Sequence, residues 1–186
     1  MATTVNGYTV IFDDRTDGPL PRLRKYEVPG VSERWFYLRD GIHGFILMHV
    51  ILWHHETVEK LNFNLAWDEW GWAVRPVRGQ REGYSNHAGA VAADINSLLH
   101  PRGVPVTKTM TDAQIRLIRN RVSFYDGVVI WGGGWNVPDG MHYELADIPS
   151  RERRALAEKL MASDRGIRIM KANPGLKKVM LQELSK

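Results

Sequence analysis

A chain of 186 residues, 44% hydrophobic and 25% charged, can bury one sizeable core and is too short for two ordinary domains. It has no cysteine, which excludes disulfides, thiolate zinc sites, iron–sulfur clusters and cysteine nucleophiles, so any metal must be held by His, Asp or Glu. The net charge of +4 is uneven: residues 151–186 carry ten Lys/Arg against four Asp/Glu, the rest fifteen against seventeen, so the basic character belongs to the C-terminal segment.

In chain order, residues 1–40 alternate turn signals (Asn6-Gly7, Asp17-Gly18-Pro19, Pro29-Gly30) with β-like runs at Tyr8 to Phe12 and Trp35 to Leu38. No basic-then-apolar leader opens the chain, and the apolar run from Gly44 to Trp53 is about half of what a bilayer crossing needs. A chain made in the cytoplasm without stable membrane insertion is expected. From Gly44 to Leu61, apolar residues at helical spacing (Ile46, Val50, Trp53, Val58, Leu61) predict a helix. Gly71 to Pro76 reads as a short strand, Gly79 to Ala90 as a polar loop and Val91 to Asn96 as a strand. Thr111 and Gln114 stand at capping-box spacing ahead of the stripe Ile115, Ile118, Val122. Asp126-Gly127 is a turn between that helix and a buried strand, Val128 to Trp131. Met141 to Leu145 is a last strand, Pro149-Ser150 opens a helix, and Asn173-Pro174-Gly175 separates it from another. The expected fold class is α+β: a small, mainly antiparallel sheet with flanking helices and one metal site in a cleft. Residues 1–149 form the main domain, with its core motifs at 72–146, and residues 150–186 a basic helical C-terminal segment.

Two segments hold polar residues that a core would not want: Ser85 to Asp94 and Asp139 to Glu144. If His87 and Asp94 bind one metal, ligand distances of about 2.0–2.2 Å force the chain to double back between them, and Ala88-Gly89-Ala90 suits such a turn. A strand through Val91 to Asn96 would bury Val91, Ala93 and Ile95 and turn Asp94 to the other face. His142 and Glu144, two apart on the last strand, share a face. Two histidines and one carboxylate leave a fourth tetrahedral position for water, as catalytic zinc sites do, and a nearby carboxylate can take that water's proton.

These residues resemble the LAS-type zinc peptidases of cell-wall metabolism, which include phage L-alanyl-D-glutamate endolysins and D-alanyl-D-alanine peptidases. The pattern is Ser-x-His, a small-residue run, Asp seven after the His, then an acid three before a second His in His-aromatic-Glu. Here those are Ser85, His87, Asp94, Asp139 and His142-Tyr143-Glu144. Trp131-Gly132-Gly133-Gly134-Trp135 looks like the family's Trp-Gly-Gly-x-Trp lead-in, and Arg75 matches the arginine that faces the substrate and its developing oxyanion. The family's glycine three after the first His is Ala90 here, with Gly89 one place early.

The resemblance implies one zinc per chain held by His87, Asp94 and His142, with Asp139 as general base and Arg75 at the oxyanion. Ser85, Glu144 and Trp131 are implied to support the ligands or touch substrate. It further implies a monomeric endolysin that cuts the L-alanyl-D-glutamate bond of bacterial peptidoglycan, made in a phage host and released to the wall to lyse the cell. The alternatives are a D-alanyl-D-alanine carboxypeptidase or dipeptidase, and a catalytically silent wall-binding module. Nucleic acid is not an expected partner.

His54-His55-Glu56 is not a zincin motif, because the second His would fall at Glu59; these residues read as a solvated helix face. The triple glycine lacks the Lys-Ser/Thr of a phosphate loop. The basic C-terminal segment is expected either to meet anionic wall polymers or to pack on the body through Leu156, Leu160, Val179 and Leu184.

Overall fold

The long apolar stretch becomes the central element of the molecule. In the computed structural model, which describes residues 1–61, 68–77 and 83–186, helix α1 spans Ile42–Thr57. Every residue from Gly44 to His54 is buried, as befits a helix apolar on all faces. The stripe expected from the spacing is therefore too narrow a description: α1 is an interior helix, and it stops at Thr57 rather than at Leu61. Before it, strands β1 (Leu23–Glu27) and β2 (Trp35–Arg39) form an antiparallel hairpin with Leu23 opposite Arg39 and Glu27 opposite Trp35.

On another flank of α1 lies a three-stranded antiparallel sheet of β3 (Ala92–Asp94), β4 (Val129–Trp131) and β5 (His142–Leu145), in the order β3-β5-β4. Helix α2 (Asp112–Phe124) begins at the predicted capping box, with both reciprocal hydrogen bonds between Thr111 and Gln114 formed. The Asp126-Gly127 turn that follows takes two positive φ values, 50° and 77°. The α+β class read from the sequence is the class observed.

Several local expectations change. Tyr8 to Phe12 is no strand; Thr9 makes one isolated bridge to Thr3, and Phe12 is exposed. Gly71 to Pro76 forms no strand; isolated bridges join Trp70 to Asp94 and Pro76 to Tyr84, and Trp72 N–H and Ala73 N–H donate to Tyr37 O and His87 O. Asn86–Gly89 is a single 3-10 turn inside the expected loop, while positions 79–82 of that loop lie outside the described residues. His54 is not on a solvated face: it is 1% exposed and shares a 3.0 Å hydrogen bond with the Tyr143 hydroxyl. Burial pushes its pKa down to about 3, so the imidazole stays neutral beneath the sheet. Glu56 is held by Arg165 and Arg168, each at 2.6 Å.

The C-terminal segment folds into three helices where two were expected: α3 (Ser150–Met161), α4 (Asp164–Ala172) and α5 (Leu176–Leu184). The unanticipated break falls at Ser163, whose side chain caps α4 by accepting from Gly166 N–H. Leu156, Leu160, Ile169, Leu176 and Met180 belong to the same core cluster as α1, and α3 and α4 both pack on α1. Val179 and Leu184 are half-buried. Glu183 accepts from Ile42 N–H at 2.7 Å, so α5 caps the N-terminus of α1, where Gly41 has no side chain to do so. The basic side chains therefore decorate helices that complete the core.

If that core is continuous, Leu160→Ala should lower unfolding stability by about 2–5 kcal/mol. Urea denaturation followed by far-UV circular dichroism would measure it. An unchanged midpoint would mean that the C-terminal helices are only an appendage.

Candidate metal centre

His87 owes its position to a doubled-back chain. Ser85 caps the 3-10 turn by accepting from His87 N–H, and Ala90 closes it in the left-handed region at φ 55°. That placement accounts for the displaced glycine. Gly89 is needed for space: a Cβ there would lie 3.0 Å from Thr4 Cγ2 and 3.3 Å from Tyr8 Cβ. Ala90 carries the positive φ instead, at a strain of about 1–2 kcal/mol. The turn then feeds β3, which ends on Asp94.

Asp94 and His142 face each other as direct partners in the β3–β5 register, and His142 Nδ1 lies 2.8 Å from Asp94 Oδ1. His87 Nε2 lies 3.3 Å from the same oxygen. The three donor atoms fall within 4.8 Å of one another, the arrangement a small cation needs.

The remaining nitrogen of each imidazole is already committed. His87 Nδ1–H donates to the Gly71 carbonyl at 2.5 Å, which places the lone pair on Nε2; among the described residues that atom has no hydrogen-bond partner. Gly71 comes so close because it lacks a Cβ, which would meet Tyr37 O at 2.3 Å. His142 Nε2–H donates to Glu144 Oε2 at 2.9 Å, and Glu144 is fixed in turn by the side-chain amides of Asn86 at 2.7 Å and Asn6 at 3.0 Å. Each ring is thus aimed by an outer hydrogen bond with its other nitrogen turned to Asp94, and these donors fit a divalent cation.

Without a cation the cluster behaves as a buried ion pair. Burial alone would lower the His142 pKa, but the hydrogen bonds to Asp94 and Glu144 outweigh it and push the value up to about 10. Asp94 is likewise subject to desolvation, yet His87 and His142 hold it well below the usual carboxylate range.

Asp139 stands beside this cluster on the turn entering β5. Its backbone N–H donates to Gly132 O at 3.0 Å, and Trp131 Nε1–H donates to Gly140 O at 2.9 Å. A Cβ on Gly132 would lie 2.8 Å from Asp139 O, so the glycine-rich lead-in is what lets the two segments meet. Asp139 Oδ1 is buried with no hydrogen-bond partner among the described residues, and Oδ2 lies 3.7 Å from Arg102 Nε. Burial is the largest influence on the carboxyl and raises its pKa; Asp94 adds to this, while His142 and Arg102 oppose it.

His87, His142 and Asp139 open onto a cleft of about 340 Å³ also lined by Arg75, Ser85, Arg102 and Trp135, with Asp94 behind the two imidazoles. Trp135 tilts over His142 at 5.3 Å between ring centres. Trp131 does not line the cleft; it braces the Asp139-Gly140 turn from behind. Arg75 Nη2 lies 3.7 Å from Asp94 Oδ2, at the edge of the triad. The sequence reading missed Arg102, which stands in no motif, Asn86, the variable position of Ser-x-His, and Asn6, which read only as a turn residue; Gly71, too, passed for an ordinary strand residue.

A buried His-Asp-His triad with a carboxylate alongside, at a cleft, is an arrangement that mononuclear metallohydrolases use. Residues 78–145 match the family model described as D-alanyl-D-alanine carboxypeptidase. This is the LAS-type zinc peptidase family that the motifs resemble, and the match takes in all three candidate ligands and Asp139. Its members are zinc-dependent peptidases of cell-wall peptides. No curated protein and no solved structure matches the chain.

Metal binding at these atoms has a proton signature. At pH 7 the metal-free His142 is protonated, since its pKa lies near 10, so seating zinc on Nδ1 should expel about one proton per site. Calorimetry in buffers of different ionisation enthalpy would count it. The same raised pKa stabilises the metal-free fold below the unfolded His value of about 6.5 and is lost as pH rises through about 10. His87→Ala, Asp94→Ala and His142→Ala should each lose most bound zinc. Stoichiometric zinc in His87→Ala would show that the ligand set is wrong.

Proposed function

We propose that this chain is a zinc endopeptidase of the bacterial wall that hydrolyses the L-alanyl-D-glutamate bond of the stem peptide. The observation that carries the hydrolytic reading is the pairing of three inward-turned donors with the buried Asp139 carboxylate beside them, whose Oδ1 has no hydrogen-bond partner among the described residues. When bound, zinc would act as a Lewis acid on the scissile carbonyl and lower the pKa of a water molecule to about 7. His87, Asp94 and His142 would hold it, their orientation kept by Gly71 O and Glu144.

Asp139 takes the proton of the attacking water and passes it to the leaving amine. Its raised pKa brings it nearer the working pH, where base and acid roles alternate most readily. Arg75 is placed at the edge of the triad to meet the negative charge that develops on the carbonyl oxygen. Ser85 acts by capping the His87 turn rather than as a nucleophile. In this reading the chain acts as a monomer, made in the cytoplasm and released to the wall during phage-mediated lysis. The choice of the L-alanyl-D-glutamate bond rests on resemblance to the phage branch. The matched family description favours a second reading, removal of D-alanine from a D-alanyl-D-alanine terminus.

Digestion of purified peptidoglycan by the zinc-loaded protein, with mass analysis of the new termini, separates the two. New L-alanine carboxyl termini and D-glutamate amino termini support the endopeptidase; release of free D-alanine would replace it with the carboxypeptidase.

The roles of the two acids are separable as well. Asp139→Asn should retain zinc and lose about 10²–10⁴-fold in turnover. Glu144→Gln breaks the brace on His142, so it should cost less in rate and more in metal affinity. The opposite pattern at saturating zinc would exchange the assignments.

A further inference from the structure

The cleft holds two guanidinium groups, and the reading above uses only Arg75. Arg102 reaches it from a separate segment, three residues after Leu99 and outside every motif that marked the site. The loop beneath it is pinned: Gly103 N–H donates to Pro138 O at 2.7 Å, and His100 Nε2 contacts Glu59 Oε2 at 2.8 Å. The Arg102 side chain is only 26% exposed, so it projects from a fixed base into the cleft.

Its donors are largely unspent. Arg102 Nε lies 3.7 Å from Asp139 Oδ2, beyond hydrogen-bond reach, and among the described residues it has no hydrogen-bond partner. A guanidinium offers five N–H groups in a rigid fork that matches a carboxylate with two parallel bonds. With a divalent cation in place, two guanidiniums and the ion face Asp94, Asp139 and Glu144, leaving one positive charge in excess near the cleft. That balance favours an anionic substrate.

The position of Asp139 says where the anion belongs. The group that returns a proton to the leaving amine marks the leaving side of the scissile bond, and Arg102 stands next to it. In both candidate bonds the carbon bearing that amine also carries a free carboxylate. In L-alanyl-D-glutamate it is the α-carboxylate of glutamate; in D-alanyl-D-alanine it is the terminal carboxylate.

We propose that Arg102 is the specificity residue of this cleft, binding the α-carboxylate on the leaving amino acid. The site then takes acyl–amino acid bonds in which that carboxylate is free and discriminates against those in which it is an amide. The assignment rests on the peptidase reading above.

The test uses two stem peptides that differ only in bearing D-glutamate or D-isoglutamine (its α-amide) after L-alanine, or, if D-alanine release is found, a D-alanyl-D-alanine peptide and its C-terminal amide. The zinc-loaded protein should prefer the acid by about 10- to 100-fold in kcat/KM, carried mainly by KM, because a charge-assisted hydrogen bond is lost in the amide. Arg102→Gln should erase that preference, and Arg102→Lys should restore part of it. An Arg102 that acts solely through Asp139 would lower kcat on acid and amide alike when replaced, leaving the preference intact, and that result overturns the proposal.

Calorimetric binding of the same peptides to zinc-loaded protein gives an answer independent of turnover. Loss of the acid preference in Arg102→Gln supports the proposal; an equal preference in both proteins overturns it. A binding preference that is lost in Arg102→Gln, without cleavage by the unmodified protein, would sink the peptidase reading and with it the leaving-side placement, while leaving Arg102 as the contact for the carboxylate.

Discussion

The site depends on the register between β3 and β5. Asp94 and His142 are directly paired across two short antiparallel strands, so a one-residue slip would turn one of them to the opposite face and destroy the cluster. Strands of three and four residues have little hydrogen bonding of their own with which to resist slippage. What holds them is the core: Val91, Ala93, Ile95, Tyr143 and Leu145 are fully buried, and Tyr143 reaches down to His54 on the interior helix. The all-round burial of α1 is thus part of the geometry of the candidate metal site, since the helix is the floor on which the register rests.

The site is also expensive in electrostatic terms. His87, Asp94, Asp139, His142 and Glu144 are all at least nine-tenths buried, and removing such groups from water costs several kcal/mol per charge unless each is paired. The metal-free protein meets this by forming an ion pair between Asp94 and His142 and bracing Glu144 with two amides. Four buried atoms of cleft residues are left without hydrogen-bond partners among the described residues: His87 Nε2, Asp139 Oδ1, Arg75 Nε and Arg102 Nε. In the proposed function the first would meet the cation and the second a reacting proton, with the two guanidinium nitrogens beside them.

Residues far from the cleft serve the same end. The C-terminal helices close the core over α1, and α5 returns a carboxylate to the first turn of that helix. Their surface carries the excess positive charge, while their buried faces carry Leu156, Leu160, Leu176 and Met180. Composition reads the first of these properties readily and the second only through helical periodicity, which explains why both an adhesive tail and a packed element are open from sequence.

By itself the sequence determined the α+β class, the capped helix after Thr111, the strands ending at Trp131 and Leu145, and the candidate ligands His87, Asp94 and His142 that the fold brings together. Those features are local in cause: a capping box, alternation along a strand, and two short motifs whose chemistry needs particular side chains. Only the tertiary structure decided that His54 is interior, that Gly71 supplies the carbonyl fixing the His87 tautomer, that Asn6 and Asn86 brace Glu144, and that Arg102 shares the cleft with Asp139. Each of these joins residues well apart in the chain, up to 138 positions for Asn6 and Glu144. The partner of a buried polar group is chosen by whatever the packed core brings within hydrogen-bond reach, and no local pattern encodes that choice.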